Sequence, residues 1–504
     1  MEIEKTFFED EVREGFYVSN MMKRCWAAQM EVMQTIINIC MRYDIRIFAD
    51  CGTLLGAVRH GGFIPWDDDV DMVIFRKDLD RFCRIMEEEL PDGWKLLKSG
   101  EDNNWEPWYR INNSVSPIID KEKLDQFHNY PYFDGVDIFI LDNMPPEGEV
   151  DVVHYLFDFI SLMCYKADPG IDEIEEALVA VEEVLNIRVR RGDPDVIKST
   201  MLSIFQSLMA SYSECEGDVL IKQDSAYFAT KTYDPSWFDQ IIFLPFENMW
   251  IPVPAGYESV LEVEYGPNYM TSVMGAAAHA YPCFREREKE IARALGIEAG
   301  YRPDKAFVVS NVSRPVYQKN GKVVAFFPYR ASSWKYLEPY WTKTLDNGGT
   351  AVVVPIPWFE KNSSGELENR KYELTGYPDH VPIIKIDQID LESLEIDEIY
   401  IQQPFDERHF AVSVHPFFYS AHLRELCKRL IYVPDYELME FDSKDNVLYK
   451  VFDDFVATPG IIYSDVTIVQ SENMREKYID FLCEWMGEDT RPFWKTKIVA
   501  KMCE

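Results

Sequence analysis

The stretch DCGTLLGAVRHGGFIPWDDDVD, residues 50–71, combines a glycine turn, a short helical segment and a run of acids. Gly52 and Thr53 have the chemistry of a turn that enters a helix. The helix is predicted over residues 54–60, and a pair of glycines stops it. An alternating strand is predicted over residues 70–75, beginning within the acidic run. This succession of turn, helix and acidic strand predicts a mixed α/β domain.

The acidic run has the spacing of a metal site. In a strand, Asp69 and Asp71 would project from the same face, so their carboxylates would repel each other unless a cation held them. Mg²⁺, or Mn²⁺ in its place, is the natural partner of such carboxylate oxygens. Asp137 is the best candidate for a third ligand, because it is a lone acid in an otherwise apolar strand. An acid pair alone would equally well be a solvated loop, so the prediction depends on the whole constellation.

Candidate phosphate contacts flank these acids. A glycine turn into a helix presents backbone N–H groups and the positive helix end to an anion, which makes Gly52 a candidate. The hydroxyl of Thr53 can add a hydrogen bond. Arg59 lies further along the same predicted helix, and Arg110 lies on the strand-like segment before Asp137. Both arginines are candidates for neutralising phosphate charge.

Composition limits the classes of partner. The chain has 504 residues, which predicts two or three domains. Its 87 acids and 51 bases give a formal net charge of −36, which disfavours nucleic acid and anionic membrane surfaces as partners. A phosphate ester would also be repelled, so a phosphate-bearing substrate makes divalent cations the expected cofactors.

The cysteines and the apolar runs indicate the compartment. Ten cysteines are scattered without a CxxC pair, which indicates reduced thiols and neither a disulfide framework nor a zinc site. The first twelve residues lack the apolar core of a signal peptide. No apolar run approaches the roughly 20 residues that span a bilayer. We expect a cytoplasmic protein, with at most peripheral contact with a lipid-linked glycan at the inner face of the membrane.

The pattern of predicted helices and strands along the sequence indicates two domains. Residues 1–297 contain the acidic run and end in a basic helical segment, 285–295. Residues 298–322 lack periodicity and are predicted to be a linker. In residues 323–504, short apolar strands alternate with helices, which predicts a parallel sheet of Rossmann type. No GxGxxG segment is present, so nothing indicates a dinucleotide site.

The first domain resembles the LicD family, whose signature is shared by fukutin-like enzymes. Residues 50–71 carry most of the resemblance, together with GVDIFILD (135–142), FENMWIPVP (246–254) and YGPNYM (265–270). The resemblance covers residues 15–297. It implies a nucleotidyltransferase-type fold. It also implies transfer of phosphocholine, or a similar phospho-alcohol, from a CDP-linked donor to a sugar of a surface glycan or teichoic-acid-like polymer.

The resemblance also implies roles for individual acids. In the family pattern the metal-binding positions match Asp69, Asp71 and Asp137. Asp67 and Asp68 match too and are assigned to donor binding. The implied reaction is attack of a sugar hydroxyl on the phosphorus distal to cytidine, with release of CMP and with Asp71 as the candidate proton acceptor. CDP-choline is the favoured donor, while ribitol, glycerol and phosphonate esters of CDP stay open.

The second domain carries a separate resemblance. The relevant stretches are residues 323–341, 352–362, 400–420, 430–438 and 466–479. They resemble the first Rossmann lobe of CDP-glycerol glycerophosphotransferases, the teichoic-acid polymerase group. In that group a second lobe binds most of the donor, and no His-Gly-Thr-Pro segment appears here. This departure from the group's pattern argues against independent transferase activity of the second domain. We expect instead a lobe that holds the acceptor polymer or a partner.

Two alternatives stay open. A nucleotidyltransferase that uses an NTP and releases pyrophosphate could use the same acids, so the acids do not distinguish the two reactions. A non-catalytic scaffold that binds a glycan or a partner is the other alternative. The intact set of Asp69, Asp71 and Asp137 argues against an inactive site.

Overall fold

The described part of the chain divides into two compact units. The computed structural model describes residues 1–501 apart from 103, 117, 119–120, 147, 166–170, 214–218, 223–230, 273–281, 283, 285–302, 315–320, 362–365, 407, 409–411, 442–448 and 450–455. The first unit comprises Met1–Glu4, Arg24–Ile118 and Gln126–Val273. The second comprises Lys5–Lys23, Ile119–Asp125 and Met274–Glu504.

Helices and strands alternate irregularly up to residue 265. The α-helices in the described residues of this part are α1 (Asn20–Arg42), α2 (Cys51–Arg59), α3 (Arg76–Glu89), α4 (Lys121–Gln126), α5 (Val150–Tyr165), α6 (Ile171–Leu185), α7 (Pro194–Tyr212) and α8 (Tyr257–Tyr265). The strands are β1 (Glu11–Arg13), β2 (Phe16–Val18), β3 (Ile47–Ala49), β4 (Asp71–Phe75), β5 (Lys95–Leu97), β6 (Tyr109–Asn112), β7 (Gly135–Asn143), β8 (Leu220–Lys222), β9 (Ile241–Phe246) and β10 (Met249–Pro254).

The remaining elements follow from residue 305 onward. The α-helices described there are α9 (Lys305–Ser310), α10 (Glu338–Asp346), α11 (Ser420–Leu426), α12 (Pro459–Tyr463), α13 (Glu472–Met486) and α14 (Arg491–Lys497). The strands are β11 (Val323–Phe327), β12 (Thr350–Val353), β13 (Trp358–Lys361), β14 (Leu367–Lys371), β15 (Ile396–Ile401), β16 (Val412–Val414), β17 (Cys427–Tyr432), β18 (Val466–Val469) and β19 (Ile498–Ala500).

A mixed sheet organises the first unit. Its strand order is β3-β4-β7-β6-β5, with β8 added on β7. Among the strands described in this sheet, only the β4–β7 pair is parallel, and the other pairs are antiparallel. Beside the sheet, apolar residues of α5, α6 and α7 form a core cluster that includes Leu156, Met201 and Phe205. The mixed α/β fold predicted from the sequence is confirmed.

Strand β4 differs from its prediction in two ways. It begins at Asp71, so Asp69 lies in the approach to the strand and not within it. The predicted alternation of buried and exposed residues is wrong, because all five residues of β4 are buried. A strand covered on both faces has no solvent side, so periodicity of two disappears. Helix α2 also begins earlier than predicted, at Cys51.

Two short strands precede helix α1. Residues 16–18 form the second of them, β2. They pair antiparallel with β1. Gly15 lies between the two strands with φ of +78°, a conformation that favours glycine and turns the chain. Helix α1 therefore begins at Asn20.

A six-stranded parallel sheet organises the second unit and confirms the parallel α/β prediction. Its order is β12-β11-β15-β17-β18-β19, and every neighbouring pair is parallel. The order reverses direction between β11 and β15, as in doubly wound sheets. Strand β11 reads VVAFF, and four of its five residues are buried. A separate antiparallel sheet, β14-β13-β16, was not predicted.

The predicted domain boundaries at 297 and 323 stay predictions. The basic helical segment 285–295 lies outside the described residues, as do residues 298–302 and 315–320 of the predicted linker. Within that linker, however, α9 is a regular helix. Its start is capped by Asp304, whose carboxylate accepts a hydrogen bond from the Phe307 amide at 2.9 Å. No helix in the described part of the chain has the length and apolar character that crossing a membrane requires.

Candidate active site

Asp71 and Asp137 are direct partners in the parallel pair of β4 and β7. Neighbouring strands lie about 4.8 Å apart, and residues in register on them project to the same face. The amide of Asp137 donates a hydrogen bond to the Val70 carbonyl at 2.9 Å, which extends the pairing to the residue before β4. Two carboxylates separated by 66 positions in the sequence therefore lie side by side.

The acids that precede β4 form a compact group. One ligand oxygen from each of Asp67, Asp68 and Asp69 lies within 4.8 Å of the others. Two side chains of α1 hold the backbone of this loop. Trp26 donates from Nε1 to the Asp67 carbonyl at 3.0 Å, and Gln29 donates from Nε2 to the Asp68 carbonyl at 2.7 Å. Neither anchor was predicted, because helical periodicity does not record a hydrogen bond to a loop that is distant in the sequence.

The start of α2 clamps the backbone of Asp71 from both sides. The Asp50 amide donates to the Asp71 carbonyl at 3.0 Å. The Asp71 amide donates to Thr53 Oγ1 at 2.9 Å. The Thr53 hydroxyl therefore positions an acid in this structure, and its predicted contact with phosphate stays a prediction.

Gly52 allows an acid to approach the start of α2. A Cβ at Gly52 would lie only 2.3 Å from Asp67 Oδ2, so any side chain there would displace the carboxylate. The residue before it, Cys51, adopts φ of +43°, which is uncommon for a non-glycine residue. The turn thus brings Asp67 against the first turn of a helix, where the backbone N–H groups also favour negative charge.

Glu247 holds the loop between α2 and the acids. Its amide donates to the Gly61 carbonyl at 2.8 Å, and its Oε1 accepts from the Phe63 amide at 3.1 Å. A Cβ at Gly62 would lie 2.3 Å from the same Oε1. These contacts give a physical reason for the stretch FENMW, which joins the end of β9 to the start of β10. Glu247 was not predicted as a support of the site, although a lone acid between two apolar strands was a usable signal.

Arg59 lies away from the start of α2. It is the last residue of the nine-residue helix, so it is about 12 Å along the axis from the first. Its Nη1 donates to the carbonyls of Tyr269 at 3.0 Å and Thr271 at 3.4 Å. The guanidinium therefore holds the segment after α8, and its predicted neutralisation of phosphate stays a prediction.

Arg110 is paired with acids of the site. Its Nη1 donates to both carboxylate oxygens of Asp137 at 2.9 Å, and its Nη2 donates to Asp134 at 3.2 Å. Arg110 and Asp137 are register partners across β6 and β7. In this structure Arg110 thus acts as a counter-ion within the acid group, and its predicted phosphate contact stays a prediction.

The electrostatics of the site favour a bound cation. Burial raises the pKa of Asp71 well above its usual value, and the charges of Asp69 and Asp137 raise it further. Burial also raises the pKa of Asp137, an effect that Arg110 opposes and Asp69 reinforces. Carboxylates held together against this repulsion are the ligands that Mg²⁺ and Mn²⁺ prefer. The donor set therefore fits a divalent cation, with Asp69, Asp71 and Asp137 as the predicted ligands.

This geometry lies within a recognised domain. The family model described as LicD/FKTN/FKRP, nucleotidyltransferase domain, matches residues 44–139. These residues form a LicD-family domain. The LicD match contains α2, the acids of residues 67–71, and Asp137 on β7. The resemblance of the second unit to a glycerophosphotransferase lobe stays a prediction.

Curated relatives extend the similarity beyond that segment. Lipopolysaccharide cholinephosphotransferase LicD of Haemophilus influenzae is 26% identical over 250 residues, which cover 48% of this chain and 88% of that protein. Ribitol 5-phosphate transferase FKRP of Homo sapiens is 38% identical over 55 residues, which cover 11% of each protein. The FKRP of Mus musculus matches to the same extent. The similarity to FKRP is therefore confined to a short segment.

Proposed function

We propose that this protein is a phosphotransferase that moves a phospho-alcohol from a CDP-linked donor to a sugar hydroxyl of a glycan and releases CMP. The observation that carries the proposal is the pairing of Asp71 with Asp137 beside the compact group of Asp67, Asp68 and Asp69. These acids lie in a domain of a family whose named members include transferases of phosphocholine and ribitol phosphate.

Each group of site residues has its own role in the proposed transfer. Asp69, Asp71 and Asp137 would hold Mg²⁺ or Mn²⁺, which supplies positive charge to the diphosphate and to the leaving oxygen. The N–H groups at the start of α2, including that of Gly52, face the negative charge of the donor. The oxygen of the sugar hydroxyl forms a bond to phosphorus, and a carboxylate oxygen of Asp71 accepts the proton of that hydroxyl. The bond from phosphorus to the CMP oxygen breaks, and CMP leaves with the electron pair.

Phosphocholine is the transferred group that the comparisons favour. The similarity to the cholinephosphotransferase covers 88% of that relative, whereas the similarity to FKRP covers only 11%. CDP-choline is therefore the first donor to test, before the CDP esters of ribitol and glycerol. The parallel α/β unit is proposed to hold the acceptor polymer or a partner.

Product analysis of the purified 504-residue chain tests the proposal. The protein is incubated with Mg²⁺ or Mn²⁺, with CDP-choline, CDP-ribitol, CDP-glycerol or CTP, and with or without a panel of sugar glycosides. We expect CMP from one CDP-alcohol, stimulation by a sugar, and loss of the activity with EDTA or in Asp137→Asn. Pyrophosphate from CTP, without CMP from any CDP-alcohol, would instead support a nucleotidyltransferase. A scaffold would bind the ligands or a glycan without releasing either product.

A further inference from the structure

A buried lysine lies next to the acid site without belonging to the predicted metal ligands. Lys222, the last residue of β8, has a side chain that is only 3% exposed. Its Nζ lies 2.8 Å from Asp50 Oδ2 and 2.5 Å from Glu264 Oε1. A buried ammonium is costly unless it is paired and hydrogen-bonded, so these two carboxylates account for its stability in the interior.

The two carboxylates that hold Lys222 belong to a larger network of polar contacts. Glu264 also pairs with Lys231 at 2.7 Å and accepts a hydrogen bond from the Tyr233 hydroxyl. These partners hold the pKa of Glu264 at about 2, although burial opposes them. The Lys222 ammonium additionally lies 3.6 Å from Cys51 Sγ. An ammonium has three donors, and its contacts with two carboxylates and a thiol direct it toward protein groups and away from a substrate phosphate.

Asp50 connects this network to the reacting end of the site. Asp50 immediately precedes α2, and its carbonyl accepts from the Leu54 amide at 2.9 Å in the first turn. Its own amide donates to the Asp71 carbonyl at 3.0 Å. A single residue therefore joins the ammonium of Lys222, the first turn of α2 and the backbone of a predicted metal ligand.

The turn that Asp50 begins is strained. Cys51 has φ of +43°, and Gly52 has no room for a Cβ because of Asp67. A strained backbone persists only where the surrounding contacts determine its position. The ion pair between Lys222 and Asp50 is such a contact, because it ties the residue before the strained turn to a strand of the sheet.

We propose that Lys222 is a positioning residue: through Asp50 it holds the first turn of α2 in register with Asp67 and Asp71. This inference rests on the proposed function for its consequence in turnover. Without Lys222, Asp50 loses its buried partner and the turn can move. Both Asp67, which packs on Gly52, and Asp71, which is clamped by Asp50 and Thr53, then lose their fixed positions.

Mn²⁺ binding and turnover in Lys222→Met test the inference. We expect the Mn²⁺ dissociation constant, measured by electron paramagnetic resonance, to rise about 10-fold, as for other residues that orient metal ligands. We expect kcat to fall about 100-fold through misplaced groups, with the KM for the donor changing much less. Asp50→Asn added to Lys222→Met removes the unpaired charge, and it should recover stability without recovering kcat.

Arg76→Met is the matched control. Arg76 forms a buried ion pair with Asp142 at 2.7 Å in the same unit, but it is not linked to Asp50. It should lose stability like Lys222→Met while keeping the Mn²⁺ affinity and the kcat of the folded protein. If both variants lose Mn²⁺ affinity equally, or if Lys222→Met keeps the parental values, the positioning role is overturned.

A second variant and the Mn²⁺ measurements decide the role of Lys222 even if Lys222→Met does not fold or the parent releases no CMP. If Lys222→Met does not fold, Lys222→Arg retains the charge but replaces the compact ammonium with a planar fork that fits the two carboxylates differently. It should fold and show the same loss of Mn²⁺ affinity, and parental affinity would overturn the inference. If the parent protein binds Mn²⁺ but releases no CMP from any CDP-alcohol, the proposed function fails while the Mn²⁺ measurements still decide the role of Lys222.

Discussion

Arg110 and Asp137 form an ion pair inside the acid site, in which a single nitrogen, Arg110 Nη1, lies 2.9 Å from each carboxylate oxygen. The guanidinium therefore occupies a predicted metal ligand. A divalent cation at Asp137 has to compete with this fixed positive charge, or share the carboxylate with it.

Removal of that charge should strengthen metal binding. We expect Arg110→Met to lower the Mn²⁺ dissociation constant several-fold, because Asp137 loses its protein counter-ion and the negative field of the site increases. Arg110→Lys keeps the charge but not the planar guanidinium. Its Mn²⁺ dissociation constant should lie between those of Arg110→Met and the parent. Calorimetric titration with Mn²⁺ measures the effect. Weaker binding by Arg110→Met would mean that Arg110 orients Asp137 as a ligand and does not compete for it.

Loss of one carboxylate at the centre of the site should separate activity from stability. Asp71→Asn keeps the shape of the side chain and removes a charge that burial, Asp69 and Asp137 all disfavour. We expect turnover to fall by more than about 100-fold. The metal-free variant should resist urea at least as well as the parent, because the repulsion is relieved. Retained turnover would remove Asp71 from the reaction, and a large loss of stability would show that the charge has a structural partner.

The local parts of the site were predictable because they depend on near neighbours in the sequence. The glycine turn, helix α2 and the acids before β4 are contiguous, and their order is visible in residues 50–71. Asp137 was recognisable because a charge in an apolar strand is unusual. The parallel sheet of the second unit followed from its alternation of apolar strands and helices.

The supports of the site were not predictable in the same way. Lys222 contacts Asp50, which is 172 positions away in the sequence, and Glu247 contacts Phe63, which is 184 positions away. No periodicity records such pairs, because tertiary packing brings them together. The exposure of β4 was mispredicted for a related reason, since burial of both faces depends on elements elsewhere in the chain.

The contact of Gly52 with Asp67 predicts that even a methyl group will disturb the site. In Gly52→Ala the Cβ would lie 2.3 Å from Asp67 Oδ2, so the carboxylate or the helix start has to move. We expect turnover to fall about 10- to 100-fold while the protein stays folded. Gly192→Ala is the matched control, because a Cβ there meets no heavy atom within 4 Å. Equal kinetics in the two variants would contradict the close approach of Asp67.

Replacing the buried Lys497 with an uncharged residue should stabilise the folded protein, by an amount that depends on pH. Its side chain is wholly buried, Nζ donates to the Ile462 carbonyl at 2.6 Å, and burial lowers its pKa to about 7. Below pH 7 the folded and unfolded states both carry the proton, so the folded protein bears the full cost of the buried charge. As the pH rises from about 7 toward the ordinary lysine value of 10.5, the folded state releases its proton first and the cost declines.

Lys497→Met should therefore be more stable than the parent at pH 6.5, by an amount on the order of a few kcal/mol. The difference should shrink at pH 9.5, because the parent then holds a neutral amine. Urea unfolding of both proteins at the two pH values measures it. Lys495→Met, on the exposed side of the same helix, should show no such dependence. A stability difference for Lys497→Met that is constant with pH would show that the ammonium keeps its proton in the folded protein throughout this range.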